Sequence, residues 1–305
     1  MGDDMYDTII IGAGVAGLTA SLYLRRANKN ILVLEGKSYG GQIINSSEVA
    51  NYPGISKITG FDFATNLYNQ VKDLDTDIKY ERVLKIEDGK LKKVITNENI
   101  YECKSIIIAT GVKKRQLGIE NDYIGKGVSY CATCDGNFYK NKAVAVIGGG
   151  NTALEDANYL SDICNKVYVI IRSSSFRGDH VLVETLIKKD NVEIIYNSNV
   201  VELKGNTNLE SVVLDNGKTI DISGLFIAVG QIPDNHCFSN IIDVDDKGYI
   251  ISGEDCKTNV DGIFVAGDCR TKKLRQLVTA ASDGAIAAVN VIEYIRKEKE
   301  YDNFK

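Results

Sequence analysis

Two stretches of the chain share one order of apolar and polar positions. The first, YDTIIIGAGVAGLTASLYLRRANKNILVLEG, opens at Tyr6 with a short apolar run and breaks at glycines. It continues as a helix and closes on a second apolar run ending at Glu35. The second, KAVAVIGGGNTALEDANYLSDICNKVYVIIR from Lys142, repeats that order. Short runs rich in valine and isoleucine read as strands, and the longer segment between them as a helix. Further apolar strands that stop at a glycine occur at SIIIATG (105–111), LFIAVG (225–230) and GIFVAGD (262–268). Such strands suit parallel sheets buried on both faces, with ligands at their carboxyl ends. The pattern predicts an α/β protein.

Each repeat opens with small residues at fixed spacing: Gly12, Gly14 and Gly17, then Gly148, Gly150 and Ala153. These serve a tight turn, the approach of backbone to a pyrophosphate, and close helix–strand packing. The helix N-terminus that follows offers free N–H groups to the anion. Glu35 stands 18 residues after Gly17, where a carboxylate can accept hydrogen bonds from both hydroxyls of an adenosine ribose and repel a 2′-phosphate. In the second repeat the equivalent position is Ile171, and the chain continues with Arg172 and Arg177. Arginine suits phosphate because its planar fork donates paired hydrogen bonds. The first site therefore favours FAD or NAD, and the second leans towards NADP.

The order of these elements implies a discontinuous first domain, residues 1–112 and 241–305, with the second inserted at 113–240. Two chain crossings close together make a natural hinge. The charged tail YIRKEKEYDNFK is expected to fray.

Composition narrows the function. The formal net charge of −5 lacks the basic excess that neutralises phosphates, which argues against a nucleic-acid binder. The apolar runs are broken by glycines and fall short of a membrane span, roughly 18 residues. The acidic start MGDDMYD lacks the basic and apolar regions of a secretory signal, so a cytoplasmic protein is expected. Seven cysteines are scattered without framework spacing, and only Cys131 and Cys134 are close together.

That pair, in SYCATCDGNFY, can hold zinc, form a structural disulfide, or carry electrons. Structural zinc needs four ligands, and neither a second Cys-x-x-Cys nor a histidine pair lies nearby; the histidines are His180 and His236. A structural disulfide across two intervening residues closes too short a loop to add much stability. A redox dithiol fits best. Asp135, directly after, can give a proton to the thiolate released when the disulfide opens, or cap a helix, or both.

These motifs resemble those of the low-molecular-weight thioredoxin reductases, FAD-dependent pyridine nucleotide-disulfide oxidoreductases, along essentially the whole chain. GAGVAGLTASLYLRRA looks like their FAD-pyrophosphate turn, and GGQIINSSEVANYPG (40–54) like their flavin segment. GVSYCATCDG is nearly identical to their redox motif. GGGNTALEDA resembles their nicotinamide-nucleotide turn, and GIFVAGDCRTKKLRQLVTAASDGAIAA their C-terminal flavin segment. The resemblance implies two Rossmann-like nucleotide-binding domains. It places Gly12, Gly14 and Glu35 on the adenosine half of FAD, with Gly17 in the same turn and Gln42 and Asn51 along the flavin. Asp268 would bind the ribityl or pyrophosphate part, while Arg275 and Gln276 reach the isoalloxazine ring. Gly41, Thr110, Gly111 and Gly267 join this set from the matching segments. Gly148, Gly150, Asn151, Thr152, Arg172 and Arg177 would hold NADPH. The family also implies a homodimer whose nucleotide domain rotates against the FAD domain. In that scheme Cys134 faces the flavin and Cys131 attacks the disulfide of thioredoxin.

One departure matters. The family motif His-Arg-Arg-x-x-x-Arg reads Ile171, Arg172, Ser173, Ser174, Ser175, Phe176, Arg177 here, so the middle arginine is serine. The expected enzyme is an NADPH-driven thioredoxin-disulfide reductase with weakened selectivity for NADPH. NADH or reduced ferredoxin as donor is the alternative. A non-catalytic redox-sensing flavoprotein is a more remote one.

Overall fold

The computed structural model describes residues 5–46 and 48–303; the first four residues of the acidic start and the last two of the charged tail lie outside the described residues. The chain divides into two compact units, Met1–Lys113 with Ile232–Lys305, and Lys114–Gln231.

The first unit begins with β1 (Tyr6–Ile11), α1 (Val15–Arg26) and β2 (Ile31–Leu34), followed by α2 (Gly60–Lys72), β3 (Asp77–Lys79), β4 (Val83–Glu87), β5 (Lys92–Thr96) and β6 (Ile100–Ile108). β1 lies between β2 and β6, parallel to both, pairing Ile9 with Leu32 on one side and with Ile106 on the other. β3 continues the parallel order beyond β2, while β5 and β4 form an antiparallel extension on the first half of β6. The strands are apolar on both faces because both faces are covered: Ile10 packs into one core cluster with Leu18 and Leu24 of α1, Ile9 and Ile11 into another. Each fully buried leucine or isoleucine contributes about 1.5–3 kcal/mol. Thr59 caps α2, its hydroxyl accepting the Asp62 amide at 3.0 Å.

β7 (Val112–Lys114) leads into the second unit. There follow β8 (Val128–Ser129), α3 (Ala132–Asp135), β9 (Ala143–Ile147), α4 (Asn151–Ser161), β10 (Lys166–Ile170), α5 (His180–Ile187) and β11 (Val192–Ile195). The unit ends with β12 (Val200–Lys204), β13 (Ser211–Leu214), β14 (Thr219–Asp221) and β15 (Gly224–Ile227). Its five-stranded parallel sheet runs β11-β10-β9-β15-β8, and β12, β13 and β14 make a separate antiparallel sheet. Residues of β9 split between two cores, Val144 and Val146 with Leu154 of α4 on one face, Ala145 and Ile147 with Val212 and Leu214 of β13 on the other.

β16 (Gln231–Pro233) pairs with β7 in a two-stranded ribbon that carries both chain crossings. The chain then adds β17 (Ile263–Val265) parallel to the second half of β6 and closes with α6 (Leu277–Asn303). The second crossing falls at Gln231, earlier than the 240/241 boundary drawn from the repeats. Side chains beyond it are committed to the first unit: Phe238 and Ile242 are buried in its core, and the Asn235 amide donates to the Gly248 and Cys269 carbonyls. α6 lies directly on α1, where a Cβ at Gly284 would come within 2.2 Å of the Ala16 carbonyl. The tail expected to fray continues this helix as far as Asn303.

Candidate cofactor cavity and redox centre

The turn between β1 and α1 is shaped by steric need. Gly12 has φ +110°, and a Cβ there would meet the Ala109 carbonyl oxygen at 2.4 Å; a Cβ at Gly17 would lie 1.9 Å from the Gly12 oxygen. At Gly14 nothing stands within 4 Å, so the backbone there is open to a ligand. The turn borders a cavity of about 680 Å³ in the first unit. Of the candidate residues, Gly12, Gly14, Glu35, Gly41, Gln42, Thr110, Gly111, Gly267, Asp268 and Gln276 line it. Gly17, Asn51 and Arg275 do not.

Glu35, at the end of β2, is fixed by its own neighbourhood. Its two carboxylate oxygens accept the Ala13 amide at 2.8 Å and the Lys37 amide at 2.9 Å. Each oxygen keeps a lone pair for a further donor, as two ribose hydroxyls require. At the other end of the cavity Asp268 Oδ1 is buried with no hydrogen-bond partner among the described residues. Burial pushes this carboxyl up, against the pull of the Lys272 and Arg275 cations. Asp268 lines the cavity, and its buried carboxylate oxygen needs a donor, which a polyol chain supplies. The open turn at Gly14, the oriented Glu35 and the unsatisfied Asp268 together fit FAD.

The residues outside the lining act on those within it. Asn51 donates to the Gln276 side-chain carbonyl at 3.1 Å. Arg275 lies 4.2 Å from the centre of the Tyr249 ring and donates to the Asp268, Arg270 and Lys272 carbonyls at 3.1–3.2 Å, which braces the Asp268 turn. Behind that turn Asp283 accepts the Gly267 amide at 2.9 Å, Arg270 at 2.8 and 2.9 Å, and Lys272 at 2.7 Å. Sequence pattern gave no sign of this buried ion cluster, because Arg270 and Asp283 are brought together only by the return of α6.

The second unit repeats the turn. Gly148 has φ +141°, with the Ala228 carbonyl where its Cβ would lie, and Gly150 is open in the way of Gly14. Asn151 and Thr152 start α4 and are exposed. The segment after Ile171 folds back over the turn: the Arg177 amide donates to the Gly149 carbonyl at 2.7 Å, and the Asp179 amide to Asn151 Oδ1 at 2.7 Å. Arg172 and Arg177 are exposed, and Ser173 turns its hydroxyl to the Ser175 carbonyl at 2.8 Å.

In the same unit Cys131 and Cys134 form a disulfide. Cys131 is the N-cap of α3, and the Cys134 and Asp135 amides point at its carbonyl. Ala132, fully buried, anchors the motif in the core of the unit. Ser129 joins the two ends of the motif: its hydroxyl donates to Asp135 Oδ2 at 2.6 Å and accepts the Cys131 amide at 3.1 Å. Asp135 makes no side-chain cap on the 3₁₀ turn that follows it, so its carboxylate is directed elsewhere.

Three further residues hold this centre and were not singled out from the sequence. Glu120, fully buried, accepts the Leu117 amide at 2.7 Å, the Ile119 amide at 2.9 Å and the Tyr130 hydroxyl at 2.7 Å. Burial raises its pKa, but these hydrogen bonds outweigh burial and hold it below the ordinary range. Lys114 lies over the Tyr130 ring, 4.8 Å from its centre. A tyrosine immediately before the first cysteine was the only local signal.

A family model described as pyridine nucleotide-disulphide oxidoreductase matches residues 6–284. A thioredoxin reductase of Listeria monocytogenes is 40% identical, with 98% of this chain and 96% of the relative covered. One of Bacillus subtilis is 36% identical, covering 98% and 97%. The crystal structure of thioredoxin reductase from Streptococcus pyogenes matches with a TM-score of 0.92 at 38% identity, over 97% of this chain and 100% of that one.

Proposed function

This chain belongs to the thioredoxin reductases of the pyridine nucleotide-disulphide oxidoreductase family, and from that premise we propose that it passes electrons from NADPH through FAD to the Cys131–Cys134 pair and on to thioredoxin. The observation that carries the reading is the Cys131–Cys134 disulfide, clamped with Asp135 by Ser129, in the unit that also holds the Gly148–Thr152 turn.

The first unit is the FAD domain in this reading and the second the nicotinamide-nucleotide domain. Gly12, Gly14 and Gly17 shape the pyrophosphate turn, and Glu35 takes the ribose. Asp268 takes the ribityl chain or pyrophosphate, with Gly41, Gln42, Thr110, Gly111, Gly267 and Gln276 around the rest. Asn51 orients Gln276, and Arg275 braces Asp268. When bound, FAD supplies a centre that accepts a hydride from nicotinamide and gives two electrons to a disulfide. Gly148, Gly150, Asn151 and Thr152 form the turn for the dinucleotide, and Arg172 and Arg177 face its 2′-phosphate. Asp135, oriented by the Ser129 hydroxyl, gives a proton to the thiolate released when the disulfide opens. Cys134 is the sulfur that receives electrons, and Cys131 attacks the thioredoxin disulfide. Family likeness further supports a homodimer. Among the described residues no helix is long and apolar enough to cross a membrane; likeness to bacterial thioredoxin reductases supports a cytoplasmic setting.

Ser173 favours a second reading for the donor, in which NADH competes. Steady-state reduction of a thioredoxin from the same source, with NADPH and NADH side by side, tests both. Turnover that depends on thioredoxin and is lost in Cys134→Ser supports the reductase; turnover with neither nucleotide refutes the donor assignment.

A further inference from the structure

We propose that Lys114 is a positioning residue of the redox centre: its ammonium, held on the ring of Tyr130, supplies the positive field in which the thiolate of the opened Cys131–Cys134 pair forms. The inference rests on the reading of that pair as a redox dithiol.

The cation is held in place from several sides. Lys114 lies over the ring of Tyr130, the residue directly before Cys131, 4.8 Å from the ring centre. The ring cannot swing, because its hydroxyl donates to Glu120 at 2.7 Å, and Glu120 is itself fixed by the Leu117 and Ile119 amides. On the far side of Tyr130, Ser129 ties the Cys131 amide to the Asp135 carboxylate. All of these groups belong to one compact unit, so the arrangement travels with the disulfide. The titratable groups set against the cation are Tyr130, under it, Glu120, at the Tyr130 hydroxyl, and Asp135. Glu120 is engaged by Tyr130 and the two amides. Burial raises Tyr130, so its ring stays neutral. Burial lowers the Lys114 pKa, and attraction to Asp135, the residue after Cys134, opposes that fall. The ammonium is thereby fixed on the side chain that directly precedes Cys131.

Opening the S–S bond takes two electrons from reduced flavin and one proton, and leaves one thiol and one thiolate. A nearby cation lowers the pKa of that thiolate's parent thiol. Neutralising Lys114 removes the field while leaving the Glu120–Tyr130 hydrogen bond in place.

The test is the pH profile of iodoacetamide alkylation of the reduced pair in the FAD-loaded protein, with Cys131→Ser/Cys134→Ser as background. Lys114→Met is expected to move the midpoint up by about one pH unit, a roughly tenfold slower reaction below it, and Lys114→Arg to restore it. Flavin absorbance and circular dichroism verify folding, and Lys114→Gln replaces Lys114→Met where the latter does not fold. Profiles of Lys114→Met or Lys114→Gln that superimpose on the unsubstituted protein overturn the proposal while leaving the dithiol intact. A pair that gives no alkylation above background in the unsubstituted protein overturns the dithiol reading as well.

Discussion

Ser173→Arg supplies the middle arginine of the proposed phosphate-binding loop, and its effect can be worked from the loop geometry. The backbone to receive it is already fixed. Arg177 is tied to Gly149, Asp179 to Asn151, and the Ser173 carbonyl accepts the Asn197 amide at 3.2 Å. The substitution loses one exposed hydrogen bond, Ser173 to the Ser175 carbonyl, which water replaces. A new charge-assisted hydrogen bond to a 2′-phosphate contributes about 1.5–3 kcal/mol. Because Arg172 and Arg177 beside it are exposed, solvent screening weakens the new contact and the lower end, about 1.5 kcal/mol, applies. Roughly 1.4 kcal/mol is tenfold in affinity. NADPH should therefore bind about tenfold more tightly, while NADH, which lacks the phosphate, stays within about twofold. Fluorescence titration of both nucleotides and the ratio of their KM values measure this. Equal change for both nucleotides, or none for either, would refute the placement of the phosphate over this loop.

Asp283→Ala should destabilise the first unit by about 3–5 kcal/mol, since it leaves Lys272 buried without its anion and Arg270 with only the exposed Glu254; urea unfolding measures it, and flavin retention should fall with the loosened Gly267 turn. Gly17→Ala drives a Cβ into the Gly12 carbonyl oxygen, so the purified protein should carry much less flavin, read from the ratio of visible to protein absorbance. Stability should also fall in acid, with a sign fixed by three carboxylates. Burial raises Asp283, Glu81 and Glu120, yet the hydrogen bonds of Arg270 and Lys272, of Thr96, Tyr101 and Asn99, and of Tyr130 with two amides outweigh it and hold all three low. Their contribution is fully present above the unfolded-state pKa of about 4 and is lost as pH falls through the depressed folded values. Denaturation monitored from about pH 4 down to about pH 2, below the range in which the raised Asp156 and Asp268 titrate in the opposite sense, should show a fall that is shallower in Asp283→Asn; a fall equally steep in that variant contradicts the assignment.

Much of the site was legible because its chemistry is local in sequence. A strand, a glycine turn and a helix lie within one continuous stretch, so Gly12, Gly14 and Gly17 could be placed before any contact was known, and Glu35 followed by counting along the next strand. The Cys131–Cys134 spacing likewise specifies its own geometry. What stayed hidden depends on pairing across long separations. Asp283 reaches Gly267 and Arg270 only because α6 returns over α1, and nothing in the run TAASDGAIAA marks that carboxylate. The second crossing was misplaced for the same reason: Asn235 and Phe238 look like any loop residues until their partners at Gly248, Cys269 and the β6 core are seen. The antiparallel sheet of β12, β13 and β14 also went unread, since its short, half-exposed strands carry little periodic signal. The bracing of the Asp268 and Arg270 carbonyls by the Arg275 guanidinium also went unread, since it depends on the fold of the turn and not on the motif.

The relay from nicotinamide through flavin to sulfur is tested most directly by anaerobic titration of the FAD-loaded protein with NADPH, comparing the unsubstituted chain with Cys131→Ser/Cys134→Ser. If the disulfide lies on the electron path, the unsubstituted protein consumes one NADPH per chain more than the double variant before NADPH accumulates, and it alone then reduces thioredoxin. Equal consumption by the two proteins, with thioredoxin reduced by both or by neither, would contradict it.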